Sequence, residues 1–95
     1  MKGYIYILRN SKGQFYIGST DNLNRRLHQH KLGHTQTTRN MKDFEVALVQ
    51  EFDSLKLARD VERRIKNLKR KDYIEKMIQD GYIRMSINKL SSFNG

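Results

Sequence analysis

Two short segments rich in β-branched and aromatic residues, separated by a turn signal, constrain the fold of this chain most. Residues 3–9 (Gly-Tyr-Ile-Tyr-Ile-Leu-Arg) and 14–18 (Gln-Phe-Tyr-Ile-Gly) favour strands, and the Asn-Ser-Lys-Gly stretch between them favours a turn. A three-residue loop from Ser11 to a left-handed Gly13 keeps both apolar faces aligned, because a one-residue slip would invert every side chain. The predicted hairpin therefore has one aliphatic face and one tyrosine face: Ile5, Ile7, Phe15 and Ile17 against Tyr4, Tyr6 and Tyr16.

A helix is predicted to follow the hairpin. Residues 22–32 place Leu23 and Leu27 four apart, and Gly33 is a C-cap signal. The N-cap candidates are Ser19, Thr20 and Asp21. At about 100° per residue, Arg26 and His30 flank the leucine stripe, whereas Arg25 and His28 point to solvent.

The second half predicts a strand and two further helices. Residues 34–43 are a polar loop, and residues 44–52 are rich in Val and aromatic residues. Ser54 is predicted to cap a helix over about 55–69, with four residues inward: Ala58, Val61, Ile65 and Leu68. Asp72 is predicted to cap a last helix to about Asp80, ended by Gly81, with Ile74, Met77 and Ile78 inward.

These elements predict an α+β fold of order ββαβαα, in which a small, mostly antiparallel three-stranded sheet is flanked by helices. One domain over residues 2–80 and a partly flexible tail over 81–95 complete the expected organisation.

The absence of Cys excludes disulfides, thiolate zinc sites and cysteine nucleophiles. No apolar run approaches the roughly 20 residues of a membrane span, and the N-terminus lacks signal-peptide features, so a cytoplasmic protein without a membrane partner is expected.

Charge indicates the class of partner. Nineteen Lys and Arg against ten Asp and Glu give a net charge of +9 on 95 residues. Such an excess favours a polyanion, with nucleic acid ahead of a membrane surface. Most of the basic residues are expected to form a nonspecific phosphate-binding surface. The residues expected to contact the nucleic acid are Arg25, His34, Arg39, Arg59, Arg63, Lys66, Lys69 and Arg70.

Two positions have both a structural and a chemical interpretation. Arg26 borders the core, where it can either pair with a carboxylate or bind an anion. Glu62 borders the apolar face of its helix among basic residues, where it can join a solvated ion-pair network or hold a divalent cation. From the residues alone, the limit is a basic nucleic-acid-binding α+β module.

The combination of motifs resembles the GIY-YIG endonuclease superfamily over about residues 2–80. It consists of Tyr4-Ile5-Tyr6, Tyr16-Ile17-Gly18, Arg26, His30 and Glu62. The chain is most similar to the small standalone bacterial members related to the excinuclease incision domain. The resemblance implies a DNA endonuclease with one divalent ion, Mg²⁺ or Mn²⁺. A role in DNA repair and a branched, damaged or single-stranded DNA substrate are the corresponding expectations.

The resemblance also implies residue roles. Tyr6, Tyr16, Arg26, His30 and Glu62 are the expected catalytic residues, with Glu62 as the metal ligand and Gly18 as the glycine of the second motif. Tyr6 is a candidate base, either as a phenolate whose pKa Arg26 and the metal lower, or through a chain with His30. Tyr16 is expected to position the water or the phosphate. All five side chains are expected around one open cleft on the same side of the sheet.

Departures from the family pattern leave alternatives open. Gly3 lies one residue too early for the first motif, and neither Asn67 nor Asn88 has a convincing spacing for the late Asn of many members. The chain has no room for a second, DNA-finding domain. The alternatives are a nucleic-acid-binding module with little or no cleavage, and a subunit that a protein partner targets to its substrate.

Overall fold

The computed structural model describes residues 1–32 and 43–83. Its elements are β1 (Gly3–Arg9), β2 (Phe15–Thr20), α1 (Leu23–Lys31), β3 (Glu45–Phe52), α2 (Leu55–Leu68) and α3 (Lys71–Asp80). The strands form one antiparallel sheet of order β2-β1-β3, which leaves β2 at an edge. The predicted α+β class and ββαβαα order are confirmed. No helix within the described ranges has the length and apolar character needed to cross a membrane.

The β1–β2 hairpin closes as predicted, through three residues. The Asn10 N–H donates to the Gln14 carbonyl at 3.1 Å, and Gly13 has φ 80. The buried Asn10 side chain accepts from the Gln14 N–H at 2.8 Å, which fixes the turn from inside. β2 runs two residues beyond the predicted end at residue 18, because Ser19 and Thr20 continue the pairing with β1.

The two faces of the sheet carry different cores, as the alternation predicts. Ile5, Ile7 and Ile17 pack with α2 and α3 in the larger core, which also contains Ala58, Val61, Ile65 and Met77. On the opposite face, Tyr6 and Leu8 pack with Tyr16 and with Leu23 and Leu27 of α1. The sheet therefore separates α1 from α2, and β2 forms one of its two edges.

Several predicted helix ends differ from the structure. The N-cap of α1 is Asn22, whose side chain accepts a hydrogen bond from the Arg25 N–H. The predicted N-caps, Ser19, Thr20 and Asp21, are therefore wrong. Ser54 caps α2 as predicted, but the N-cap of α3 is Arg70 rather than Asp72, which lies in the first turn. Leu68 is 37% exposed rather than inward, because α2 ends there and Lys69 turns the chain in a left-handed conformation. Gly81 ends α3 as predicted.

Candidate active site

The tyrosine face of the sheet contains a polar cluster centred on Tyr6. The Tyr6 hydroxyl accepts a hydrogen bond from Arg26 Nε at 3.1 Å and lies 2.7 Å from His30 Nε2. Tyr6 comes from β1, whereas Arg26 and His30 lie one turn apart on α1. The Tyr6 side chain is 0% exposed and His30 is 1% exposed, so this hydroxyl is held in place by two side chains inside the protein. His30 is therefore fully buried, whereas the sequence predicted that it would lie at the margin of the leucine stripe of α1.

Gly18 makes room for the Tyr6 ring. The two residues are directly paired between β1 and β2. A Cβ atom added to Gly18 would lie 2.6 Å from Tyr6 Cζ, closer than any ordinary contact. Only glycine therefore lets the Tyr6 ring lie flat across β2 and reach the two side chains of α1.

Burial sets the protonation states of the cluster. Desolvation, opposed by the hydrogen bond from Arg26, raises the pKa of Tyr6 to about 12. Desolvation and the Arg26 charge lower the pKa of His30 to about 4. At neutral pH the pair is thus a phenol beside a neutral imidazole. Arg26 lowers the pKa of Tyr6, as a phenolate role would require, but desolvation outweighs its effect.

Tyr16 lies beside this pair, at the edge of the sheet. Its ring centroid is 6.1 Å from that of Tyr6 and 5.0 Å from that of His30. Phe44 places its ring 6.5 Å from His30 on the remaining side. Arg26 donates a second hydrogen bond, from Nη1 to Gln29 at 3.1 Å, which orients its guanidinium. Tyr6, Tyr16, Arg26 and His30 are thus assembled in one place.

Glu62 approaches the same edge from the other layer. It lies on α2 and accepts a hydrogen bond from the Ser19 hydroxyl. Ser19 pairs with Ile5, so both side chains point to the α2 face, opposite Tyr6. Glu62 therefore approaches from the layer opposite Tyr6, and that one cleft holds all five side chains stays a prediction. Glu62 is nevertheless near them, because Lys66 Nζ lies 2.7 Å from its Oε2 and 6.0 Å from the Tyr16 ring centroid.

The donor set at Glu62 suits a hard divalent cation. A carboxylate that is 17% exposed and a neighbouring hydroxyl offer oxygen ligands, which Mg²⁺ and Mn²⁺ prefer. Among residues 1–32 and 43–83, no group of three or more His, Asp and Glu side chains could share an ion. The residues therefore fit an ion held by one carboxylate, with other positions left to water and substrate.

A groove of about 370 Å³ extends from Tyr16 along the junction of α2 and α3. Its lining contains Phe15 and Tyr16 and four cationic side chains: Lys66, Lys69, Arg70 and Lys71. Three of these cations are among the predicted DNA contacts, and Lys71 is an addition. Lys71 Nζ lies 5.6 Å from the Phe15 ring centroid, so basic and aromatic groups alternate along the groove.

The other predicted DNA contacts are dispersed. Arg25 pairs with Asp21 at 3.6 Å on α1, and Arg63 pairs with Asp60 at 3.7 Å on α2. Arg59 is exposed and does not line the groove. His34, Arg39 and Asn88 lie outside the described residues, as do Gly33 and most of the predicted loop and tail. Asn67 is exposed near the end of α2.

Sequence reasoning missed three supporting residues: Ser19, Gln29 and Phe44. Ser19 was interpreted only as a helix cap, although alternation from Ile17 places it on the α2 face. Gln29 lies three residues after Arg26, a spacing at which helical side chains meet. Phe44 precedes β3 and approaches His30 only through the tertiary fold, so no local pattern could have identified it.

The chain is similar to known proteins in sequence and in fold. A family model described as the GIY-YIG catalytic domain matches residues 2–77. The chain is 41% identical over 68 residues to a UPF0213 protein of Oceanobacillus iheyensis, covering 70% of this chain and 79% of that protein. Its fold is similar to the solution NMR structure of a UPF0213 protein from Bacillus halodurans, with a TM-score of 0.55 and 29% identity over 85% and 87% of the two chains.

Proposed function

Because the chain belongs to the GIY-YIG family, we propose that it is a metal-dependent endonuclease that hydrolyses phosphodiester bonds in DNA. The observation that carries the proposal is the Tyr6 hydroxyl, held between Arg26 Nε at 3.1 Å and His30 Nε2 at 2.7 Å. A buried phenol between a fixed cation and a neutral imidazole is a costly arrangement that packing alone does not require. It is suited to moving a proton.

Tyr6 acts as a proton relay rather than as a resident phenolate. With its pKa raised to about 12, the phenol is protonated at neutral pH, whereas His30 is neutral and able to accept. An attacking water gives a proton to the Tyr6 oxygen as the Tyr6 proton passes to His30 Nε2. The resulting hydroxide attacks phosphorus to give a dianionic, pentacovalent phosphorane, whose charge stabilises the nearby imidazolium. The bond from phosphorus to the 3′ oxygen then breaks, and the 3′ oxygen takes a proton from solvent.

Arg26 has two tasks in this scheme. Its Nε donates to Tyr6, which orients the relay, and its Nη1 is held by Gln29. Arg26 is half-buried, and its remaining N–H groups donate to a non-bridging phosphate oxygen as charge accumulates there. The hydrogen bond to Tyr6 raises the pKa of Arg26 further, so the cation is permanent. Tyr16, beside both Tyr6 and His30, positions the water or the phosphate.

Glu62 holds the divalent ion, Mg²⁺ or Mn²⁺, with Ser19 orienting its carboxylate. When bound, the ion supplies Lewis acidity at the leaving oxygen. Glu62 and the tyrosine cluster belong to different layers, so the scissile phosphate must lie across the edge of β2. The groove beside Tyr16, with its four cations, is placed to bind the strand that leaves this edge.

Branched, damaged or single-stranded DNA in a repair pathway is the proposed substrate, and the cytoplasm is the proposed location. We also propose that a protein partner delivers the substrate. Salt-sensitive binding of DNA without turnover would instead identify a nucleic-acid-binding module of the same fold.

The test is cleavage of flap, nicked and single-stranded oligonucleotides with Mg²⁺ or Mn²⁺. Arg26→Ala and Glu62→Gln are expected to reduce single-turnover cleavage by about 10²-fold or more. Matched controls are Arg64→Ala and Glu75→Gln, which change exposed residues of α2 and α3 outside the site. The proposal fails if no substrate is cut, or if the two site variants cut as fast as their controls.

A further inference from the structure

We propose that Lys66 is a tethered cation that competes with the divalent ion for Glu62 and thereby sets the metal affinity of the site. This inference rests on the proposed metal role of Glu62. Lys66 lies one turn after Glu62 on α2, with Nζ 2.7 Å from Oε2. That distance is typical of a charge-assisted hydrogen bond. The ammonium therefore occupies the carboxylate oxygen that an ion would need as its ligand.

Both oxygens of the Glu62 carboxylate are engaged. Oε1 accepts from the Ser19 hydroxyl and Oε2 contacts Lys66. Binding of an ion through Oε2 therefore requires the ammonium to leave, whereas the Ser19 hydroxyl can continue to orient the carboxylate. On the same helix, the pair between Arg63 and Asp60 is looser, at 3.7 Å. The contact at Glu62 is thus shorter than this second ion pair of α2.

The Lys66 side chain can move away from Glu62 toward the groove. Its side chain is 50% exposed and flexible, and its ammonium already lies 6.0 Å from the Tyr16 ring centroid, at the end of the basic groove. A short rotation of the side chain moves the charge from Glu62 toward this groove, where a DNA phosphate is proposed to bind. The phosphate would then draw the ammonium away from the carboxylate and leave Oε2 free to hold an ion.

The consequence is weak metal binding by the free protein. A unit positive charge beside the carboxylate must be displaced before the ion binds, and its residual field repels a divalent cation. Neutralising Lys66 removes both penalties while leaving the oxygen ligands unchanged. We expect the affinity for Mn²⁺ to rise about tenfold, the lower end of the range that neighbours of metal ligands typically control.

The experiment measures Mn²⁺ binding to the full chain without nucleic acid, by the electron paramagnetic resonance signal of free Mn²⁺. Lys66→Gln is expected to bind about tenfold more tightly than the wild type. Lys66→Arg keeps the charge and is expected to restore weak binding. Lys56→Gln makes the same chemical change at an exposed position of α2 and is expected to leave the affinity unchanged.

Glu62→Gln separates the two proposals. If this variant loses Mn²⁺ binding but Lys66→Gln binds no more tightly than the wild type, competition is refuted and the metal role of Glu62 stands. An equal gain in Mn²⁺ affinity in Lys56→Gln would also refute competition, because the effect would then come from the lower net charge of the protein rather than from the contact with Glu62. If Glu62→Gln binds Mn²⁺ like the wild type, the metal role itself fails, and the inference fails with it.

Discussion

Acidification should destabilise this protein through one residue, His30. The imidazole is 1% exposed, its Nε2 lies 2.7 Å from the Tyr6 hydroxyl, and the Arg26 charge is nearby. These surroundings lower its pKa from 6.5 to about 4 in the folded protein. In the unfolded chain His30 titrates near its ordinary value. Between these two pKa values the unfolded state therefore binds more protons than the folded state, and stability falls as the pH falls.

The size of the effect follows from the shift. One pKa unit corresponds to about 1.4 kcal/mol, and relaxation of the site around a charged ring reduces the total, so we expect a loss of about 2 kcal/mol. The loss begins as the pH drops through about 6.5 and is complete near pH 4, where the folded state also binds the proton. Tyr6 stays protonated throughout this window, because its pKa is about 12. Its own titration adds nothing to the slope.

Urea unfolding at pH 7.5 and pH 4.5 measures the effect. His30→Gln keeps a polar side chain toward Tyr6 but cannot titrate, so its free energy of unfolding should fall less on acidification than that of the wild type. His28→Gln changes an exposed histidine of the same helix and should behave like the wild type. If the wild type and His30→Gln lose equal stability, or if His28→Gln flattens the dependence, burial of a neutral His30 is not the cause.

Three further predictions concern packing, capping and chemistry. Gly18→Ala should lower the free energy of unfolding by about 1–3 kcal/mol through overpacking against Tyr6, and the loss should disappear in a Tyr6→Ala background; an equal loss in both backgrounds would contradict the contact. Asn22→Ala should cost about 1 kcal/mol by thermal unfolding, whereas Asp21→Ala should cost less; the reverse order would restore Asp21 as the cap. Tyr6→Phe should slow cleavage about 10²-fold or more with little change in DNA affinity, and Tyr4→Phe should not; equal rates for the two would exclude a relay through Tyr6.

Local sequence patterns predicted much of the fold, because the interactions that determine these elements lie between residues close in the sequence. Alternation and turn chemistry predicted the hairpin loop, its left-handed Gly13 and its two faces, and helical periodicity predicted the inward residues of α2 except Leu68. Helix ends were less well predicted. Neighbouring residues such as Asp21 and Asn22 have similar intrinsic capping ability, and the choice between them depends on where the preceding strand stops.

The sequence by itself determined which chemical groups are present and how α1 orients them. The spacing of Arg26 and His30 puts both on one side of a helix, whatever that helix packs against. Only the tertiary structure decided that the Tyr6 hydroxyl lies between them, and that burial raises its pKa instead of lowering it. It alone also decided that Glu62 contacts Ser19 of β2 and Lys66 of its own helix. Desolvation and contacts between layers depend on residues distant in the chain, so no local pattern encodes them.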